Sequence, residues 1–230
     1  MYQNIFLDIK KMKMHLWDDT KGHLEIPFRK YAYVKHSNGQ HVSLYGDRLK
    51  KVTQFDKDDP TLHESDVPPT TRFLVDQYGD SDEASVGHRI MFFDIEVEVT
   101  EGFPDVQKAQ NPITSIALYD STTEKYFTYV FDPNKRLKSY TKDDQVVEIY
   151  ETEYEMLNQF FQKYLEIRPT IISGWNSEFF DIPYLYNRAV RVLGPEVANL
   201  LSPISQVLYS EYKKKHTIAG VSSLDYLQLY

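Results

Sequence analysis

Cysteine is absent from the 230 residues, which removes disulfides and every thiolate-ligated metal site. Long apolar runs are absent too. Nothing approaches the roughly 18 residues that a membrane-spanning helix needs, and the opening stretch Met1–Lys13 is too polar for a signal peptide. A soluble, intracellular protein is therefore the expectation. No glycine-rich segment precedes a Lys-Ser or Lys-Thr pair, so a phosphate-cradling loop is missing, and there is no Gly-x-Ser-x-Gly. The seven histidines form no His-x-x-x-His pair, which argues against a zinc hydrolase. Basic charge is in deficit, 26 side chains against 34 acidic ones, a formal net of −8. That balance argues against a protein that coats nucleic acid nonspecifically, but not against an enzyme that touches nucleic acid locally. What is present is a hydrophobic content of 41%, enough for a real core.

The chain divides near Gly87. Residues 1–87 carry 12 basic and 14 acidic side chains, and residues 88–230 carry 14 and 20. The first part reads as short strands, Ile5–Ile9, Lys30–Lys35 and His41–Tyr45, with Ser37-Asn38-Gly39 as a hairpin turn between the last two. Phe55–Pro69 reads as a loop, and the acidic, glycine-flanked Asp76–Gly87 as the boundary segment. In the second part Ile90–Val99, Ile113–Asp120 and Lys125–Phe131 are expected strands. The acidic stretch Asp143–Glu155 reads as a solvated approach complementing a helix N-terminus. A helix follows over about Glu151–Ile167, with Leu157, Phe160, Phe161, Tyr164 and Leu165 on one stripe. Thr170–Ser173 is a short strand, and Asp181–Leu193 a second amphipathic helix. The order β-β-β-α-β-α indicates an α/β layer fold with a mixed sheet.

Two constellations carry chemical interest. In Met91–Val99 the strand period of two puts Phe93, Ile95, Val97 and Val99 on one face and Phe92, Asp94, Glu96 and Glu98 on the other. Asp94 and Glu96 thus project side by side, as a pair of oxygen ligands for a hard divalent cation must. Alone, an Asp-x-Glu is equally a solvated acidic face. The second constellation is Gly174-Trp175-Asn176-Ser177-Glu178-Phe179-Phe180-Asp181-Ile182-Pro183, a strand-to-helix connection. Asp181 reads as an N-cap, with Pro183 in the first helical turn. The aromatics beside it are either a stacking surface for bases or a plug over the sheet edge. Lys10-Lys11-x-Lys13 and Lys213-Lys214-Lys215-His216 are short basic runs, either solvated surface or phosphate contacts.

Asp94-Ile95-Glu96 on the first strand of a meander, followed by Asn176-x-x-x-Phe180-Asp181 at a helix start, resembles the first two motifs of the proofreading 3′→5′ exonuclease of family B DNA polymerases. Phe180–Tyr184 with Asn187-Arg188, Leu201–Ile204 and Gly220–Tyr226 are similar to the polymerases of large tailed bacteriophages. The likeness is specific over residues 88–230. Over residues 1–87 it is softer, through Tyr2–Asp8 and Ile26–Tyr33, and is to the N-terminal domain of the same polymerases.

The resemblance implies an RNase H-like exonuclease domain at 88–230, preceded by a small α+β N-terminal domain at 1–87. It implies DNA replication as the process and two Mg²⁺ or Mn²⁺ ions as cofactors, held by four carboxylates. Three of these map onto Asp94, Glu96 and Asp181, with catalysis at the same residues. Asn176 and Phe180 would position the sugar and terminal base of a single-stranded 3′ end. The third motif, Tyr-x-x-x-Asp, which supplies the fourth carboxylate, belongs after the second and is not found beyond Asp181. Glu211 and Asp225 are the only acids after Glu196, and neither sits in that pattern. Asp225 matches a non-ligand position of the family. The expectation is an N-terminal piece of a longer polymerase, cytoplasmic in an infected bacterial cell and weakly active or inactive alone. Its partners would be DNA, the remainder of the polymerase and, through that remainder, a sliding clamp. The competing reading is a noncatalytic nucleic-acid-binding or interaction module whose acidic strand is surface.

Overall fold

In a computed structural model, residues 1–99 and 102–229 are described. Contacts within the chain divide it into two units, Met1–Val86 and Gly87–Tyr230.

The first unit opens with β1 (Tyr2–Asp8), β2 (Lys13–Asp18) and β3 (Gly22–Pro27), an antiparallel meander. A second antiparallel sheet holds β4 (Ala32–Lys35), β5 (His41–Val42), β6 (Arg48–Val52) and β7 (Leu62–His63) in the order β5-β6-β4-β7. The helix α1 (Pro69–Tyr78) follows, with Pro68 and Pro69 at its start, where a missing N–H costs nothing. Met14, Leu16, Phe28 and Phe73 form this unit's buried core.

The turn at Ser37-Asn38-Gly39 does not make the expected hairpin. It leads the chain away, and β6 pairs between β4 and β5. Gly39 is needed for another reason: a Cβ there would stand 2.3 Å from the Leu49 carbonyl oxygen of β6. The loop expected over Phe55–Pro69 contains β7, and the start of the Asp76–Gly87 segment belongs to α1.

The second unit is built on a seven-stranded mixed sheet. Its strands are β8 (Ile90–Val97), β9 (Ile113–Asp120), β10 (Lys125–Phe131), β11 (Tyr140–Lys142), β12 (Gln145–Tyr150), β13 (Ile171–Gly174) and, after a hairpin of β14 (Val207–Ser210) and β15 (Lys215–Ile218), β16 (Ser222–Asp225). The order is β11-β12-β10-β9-β8-β13-β16. β9 is antiparallel to β8 and β10, while β13 runs parallel to β8 and β16 parallel to β13. This is a mixed-sheet α/β arrangement of RNase H-like type. The helices are α2 (Glu153–Ile167), α3 (Asp181–Val192) and the short α4 (Pro195–Ala198) and α5 (Tyr226–Leu229). Within the acidic stretch 143–155, residues 145–150 form β12, while Glu153 and Glu155 stand in the first turn of α2, Glu155 exposed and Glu153 buried.

The stripe on α2 is buried at Leu157, Phe160, Phe161 and Tyr164, joined by Met156 and Ile167, and Leu165 faces solvent instead. Thr152 caps the helix by accepting from the Glu155 N–H at 3.2 Å. Arg168, with φ at +48°, ends it ahead of Pro169. These side chains join Met91, Phe93 and Ile95 of β8 and Ile182, Tyr184 and Leu185 of α3 in one core.

Candidate active site

The period of two on β8 places its side chains as expected: Met91, Phe93 and Ile95 are buried, while Phe92, Asp94 and Glu96 are exposed. Among the described residues neither the Asp94 nor the Glu96 carboxylate has a hydrogen-bond or ion-pair partner. Strand β13 pairs with β8 only from Ile90 to Phe92. β13 ends two residues on from its Ile172, at Gly174, and the chain parts from β8 there, at the carboxyl ends of parallel strands, the usual place for a ligand in such sheets. The backbones are still close one residue past the last pair: a Cβ on Gly174 would stand 2.6 Å from the Phe93 carbonyl oxygen.

The divergence leaves the Ile95 N–H without a strand partner, and Asp181 takes it, Oδ1 accepting at 3.0 Å. The N-cap reading of Asp181 fails here. Phe180 is the N-cap, without a side-chain cap bond, and Asp181 is the first helical residue. Its carboxylate, 3% exposed, is aimed at the strand between Asp94 and Glu96. Burial is the largest influence on this carboxyl. The Ile95 N–H opposes it and the nearby charges of Asp94 and Asp225 add to it, so that its pKa is pushed up to about 6.

The connection from β13 to α3 bends at Asn176, whose φ is +58°. The Asn176 carbonyl accepts from the Phe179 and Phe180 N–H groups at 3.2 and 3.0 Å. Phe180 is half-buried and packs between Tyr184 and Phe103, with ring centroids 5.6 and 5.2 Å away. Trp175 and Phe179 are exposed, and Trp175 leans on Tyr226 at 6.1 Å. Phe103, 81% exposed, carries no signal in the sequence. It lies on a loop with no periodicity, and only the fold sets it against Phe180.

That loop is held by the helix that carries Asp181. Tyr184 donates to the Asn111 carbonyl at 2.8 Å, Asn187 to Val106 at 2.9 Å, and Arg188 to Ala109 and Gln110 at 3.1 and 2.6 Å. Arg188 also makes a two-pronged pair with the buried Glu153 carboxylate at 2.8 and 2.6 Å. Lys215, from the basic run, is committed to Glu178 at 2.7 Å.

The structure thus brings Asp181 against the strand of Asp94 and Glu96, and Asn176 and Phe180 to the adjoining loop. Among the described residues, no three His, Cys, Asp or Glu side chains stand close enough together to hold one metal ion. The donor chemistry nonetheless suits a hard cation. It consists of carboxylate oxygens only, two of the carboxylates on exposed, unpartnered side chains and the third buried against the strand that carries them. No helix among the described residues is long and apolar enough to cross a membrane.

Residues 76–230 match the exonuclease domain of family B DNA polymerases. The chain belongs to this family. It is 32% identical over 171 residues to the DNA-directed DNA polymerase of Escherichia phage RB69, a match that covers 62% of this chain and 19% of that protein. It is 34% identical over 165 residues to the DNA-directed DNA polymerase of Enterobacteria phage T4, covering 59% and 18%. With DNA polymerase 1 of Saccharolobus solfataricus it shares 40% over 101 residues, covering 43% and 11%. The chain therefore spans less than a fifth of the length of these relatives.

Proposed function

We propose that this chain is the N-terminal domain and most of the proofreading 3′→5′ exonuclease domain of a replicative DNA polymerase, with the boundary between them near residue 87. The observation that carries the reading is the Asp181 carboxylate on the Ile95 N–H, between Asp94 and Glu96. It joins two sequence motifs, 86 positions apart, at the open end of the sheet. Asp94, Glu96 and Asp181 would hold the divalent cations, Mg²⁺ or Mn²⁺. When bound, such ions activate water and stabilise the leaving 3′-oxygen in phosphodiester hydrolysis. The chain's own residues do the rest. Asn176 and the Phe180–Phe103 pair grip the sugar and base of the 3′-terminal nucleotide, and exposed Trp175 and Phe179 offer stacking faces to the preceding strand. Lys213 and Lys214, on the β14–β15 turn, supply phosphate contacts.

Asp225 accepts from three backbone N–H groups and is not a cation ligand. We assign the fourth carboxylate to the polymerase outside these 230 residues. The chain alone should degrade single-stranded DNA weakly or not at all, and polymerisation, clamp binding and a cytoplasmic place in an infected cell follow only for the whole enzyme. The alternative, a noncatalytic nucleic-acid-binding module, draws on the lack of a three-carboxylate cluster among the described residues.

Calorimetric titration with Mn²⁺ separates the two. The exonuclease reading expects binding that Asp94→Ala and Asp181→Asn each weaken at least tenfold. Equal affinity in all three proteins would reject it. In the full-length polymerase the same substitutions should abolish 3′→5′ digestion and spare nucleotide incorporation.

A further inference from the structure

Asp225 ends β16 and is 3% exposed. Its carboxylate faces backbone. Oδ1 accepts from the Asn176 N–H at 2.9 Å and the Leu227 N–H at 3.0 Å, and Oδ2 from the Glu178 N–H at 3.0 Å. The register explains how it gets there. β16 runs parallel to β13 with Asp225 opposite Gly174, so the strand end delivers a carboxylate beside the chain just as it leaves β13.

That departing chain needs an anchor. Asn176 sits at φ +58°, in the left-handed region that Asn enters more readily than other side chains, and the Ser177 hydroxyl is buried with no partner among the described residues. Glu178 is gripped a second time. Its own carboxylate, on a residue 8% exposed, accepts from Lys215 at 2.7 Å and from Gln228 at 2.8 Å. A charged acceptor for two N–H groups of one loop makes bonds roughly twice as strong as neutral ones. An apolar side chain in its place would leave the Glu178 amide buried without a partner.

We infer that Asp225 is a positioning residue for the candidate exonuclease site: it sets the conformation of the 175–180 loop and so places Asn176 and Phe180 against the 3′-terminal nucleotide. The inference rests on the exonuclease reading above for its ligand, and on the three N–H bonds alone for the loop.

The test uses the 230-residue chain with Asp225→Leu and Asp225→Asn, and two measurements. Amide hydrogen exchange reads the loop. Asp225→Leu should exchange at least tenfold faster at Asn176 and Glu178, with β8 and α2 amides unchanged. Asp225→Asn should rescue Asn176 more than Glu178, because its carbonyl oxygen still accepts on the Oδ1 side while its NH₂ faces the Glu178 N–H. Should Asp225→Leu not fold, this graded pattern in Asp225→Asn carries the test. Fluorescence of a single-stranded oligonucleotide with 3′-terminal 2-aminopurine, in Ca²⁺, reads the ligand. Affinity should fall about tenfold in Asp225→Leu and less in Asp225→Asn. Unchanged exchange at Asn176 and Glu178 overturns the inference, as does unchanged 3′-end affinity with the loop amides released. A wild-type chain that ignores the 3′ end counts against the exonuclease reading, and exchange then decides the loop anchor by itself.

Discussion

Asp181 illustrates what a single side chain can hide. In the sequence it stands where an N-cap belongs, followed by a proline in the first turn, and local rules explain it fully. Its partner, the Ile95 N–H, becomes available only because β13 parts from β8 after Phe92, an event of tertiary structure. That Asp94 and Glu96 share the exposed face of β8, by contrast, was legible from the strand period alone. The raised carboxyl has a measurable sign. Its folded value of about 6 lies above the ordinary 3.8, so its contribution to stability is complete below pH 3.8 and is lost as pH rises through about 6. Metal-free protein should therefore lose on the order of 2–3 kcal/mol between pH 4 and 6.5 relative to Asp181→Asn. Urea midpoints across that range measure it, and identical slopes in the two proteins would refute it. Gly174 is a second such residue. Gly174→Ala pushes a methyl group to 2.6 Å from the Phe93 carbonyl oxygen, and chemical denaturation should show a loss of about 1–3 kcal/mol.

At the scale of elements, α2 and the central strands were readable because burial repeats in them at 3.6 and 2 residues. β9 and β10 coincide with their expected ranges. The failures have physical causes too. β5 and β7 are two residues long, too short to display a period, and β6 entered between β4 and β5 through the space that Gly39 leaves. Glu153 stands in the first turn of α2, where the expectation put a solvated acid complementing the helix N-terminus, and only the solvation differs. It is buried, accepts the Ile113 N–H at 2.8 Å and pairs with Arg188, which no local pattern announces. Breaking that pair from one side leaves a buried charge, so Arg188→Met should destabilise the second unit by about 3 kcal/mol. Thr152→Ala, which removes the α2 cap, should cost about 1 kcal/mol. Thermal melts of the two variants should rank in that order.

Among the described residues the molecule has two cores, one around Met14, Leu16, Phe28 and Phe73 and the other spanning β8, α2 and α3. Separate cores are separate cooperative units. Calorimetry should resolve two transitions, and Arg188→Met should lower only the one that belongs to residues 87–230. A single transition shifted as a block would contradict this. Chain order then acquires a meaning in time. The meander β8–β9–β10 closes through short connections, so Asp94 and Glu96 come to lie side by side early. Asp181 can reach them only after some 80 residues have been looped out and β13 has docked parallel to β8, a slow, nonlocal pairing. The contact of Asp181 with the Ile95 N–H is thus expected to form on the native side of the folding barrier. A divalent cation that recognises all three carboxylates would lengthen the lifetime of the folded protein while leaving its rate of formation unchanged.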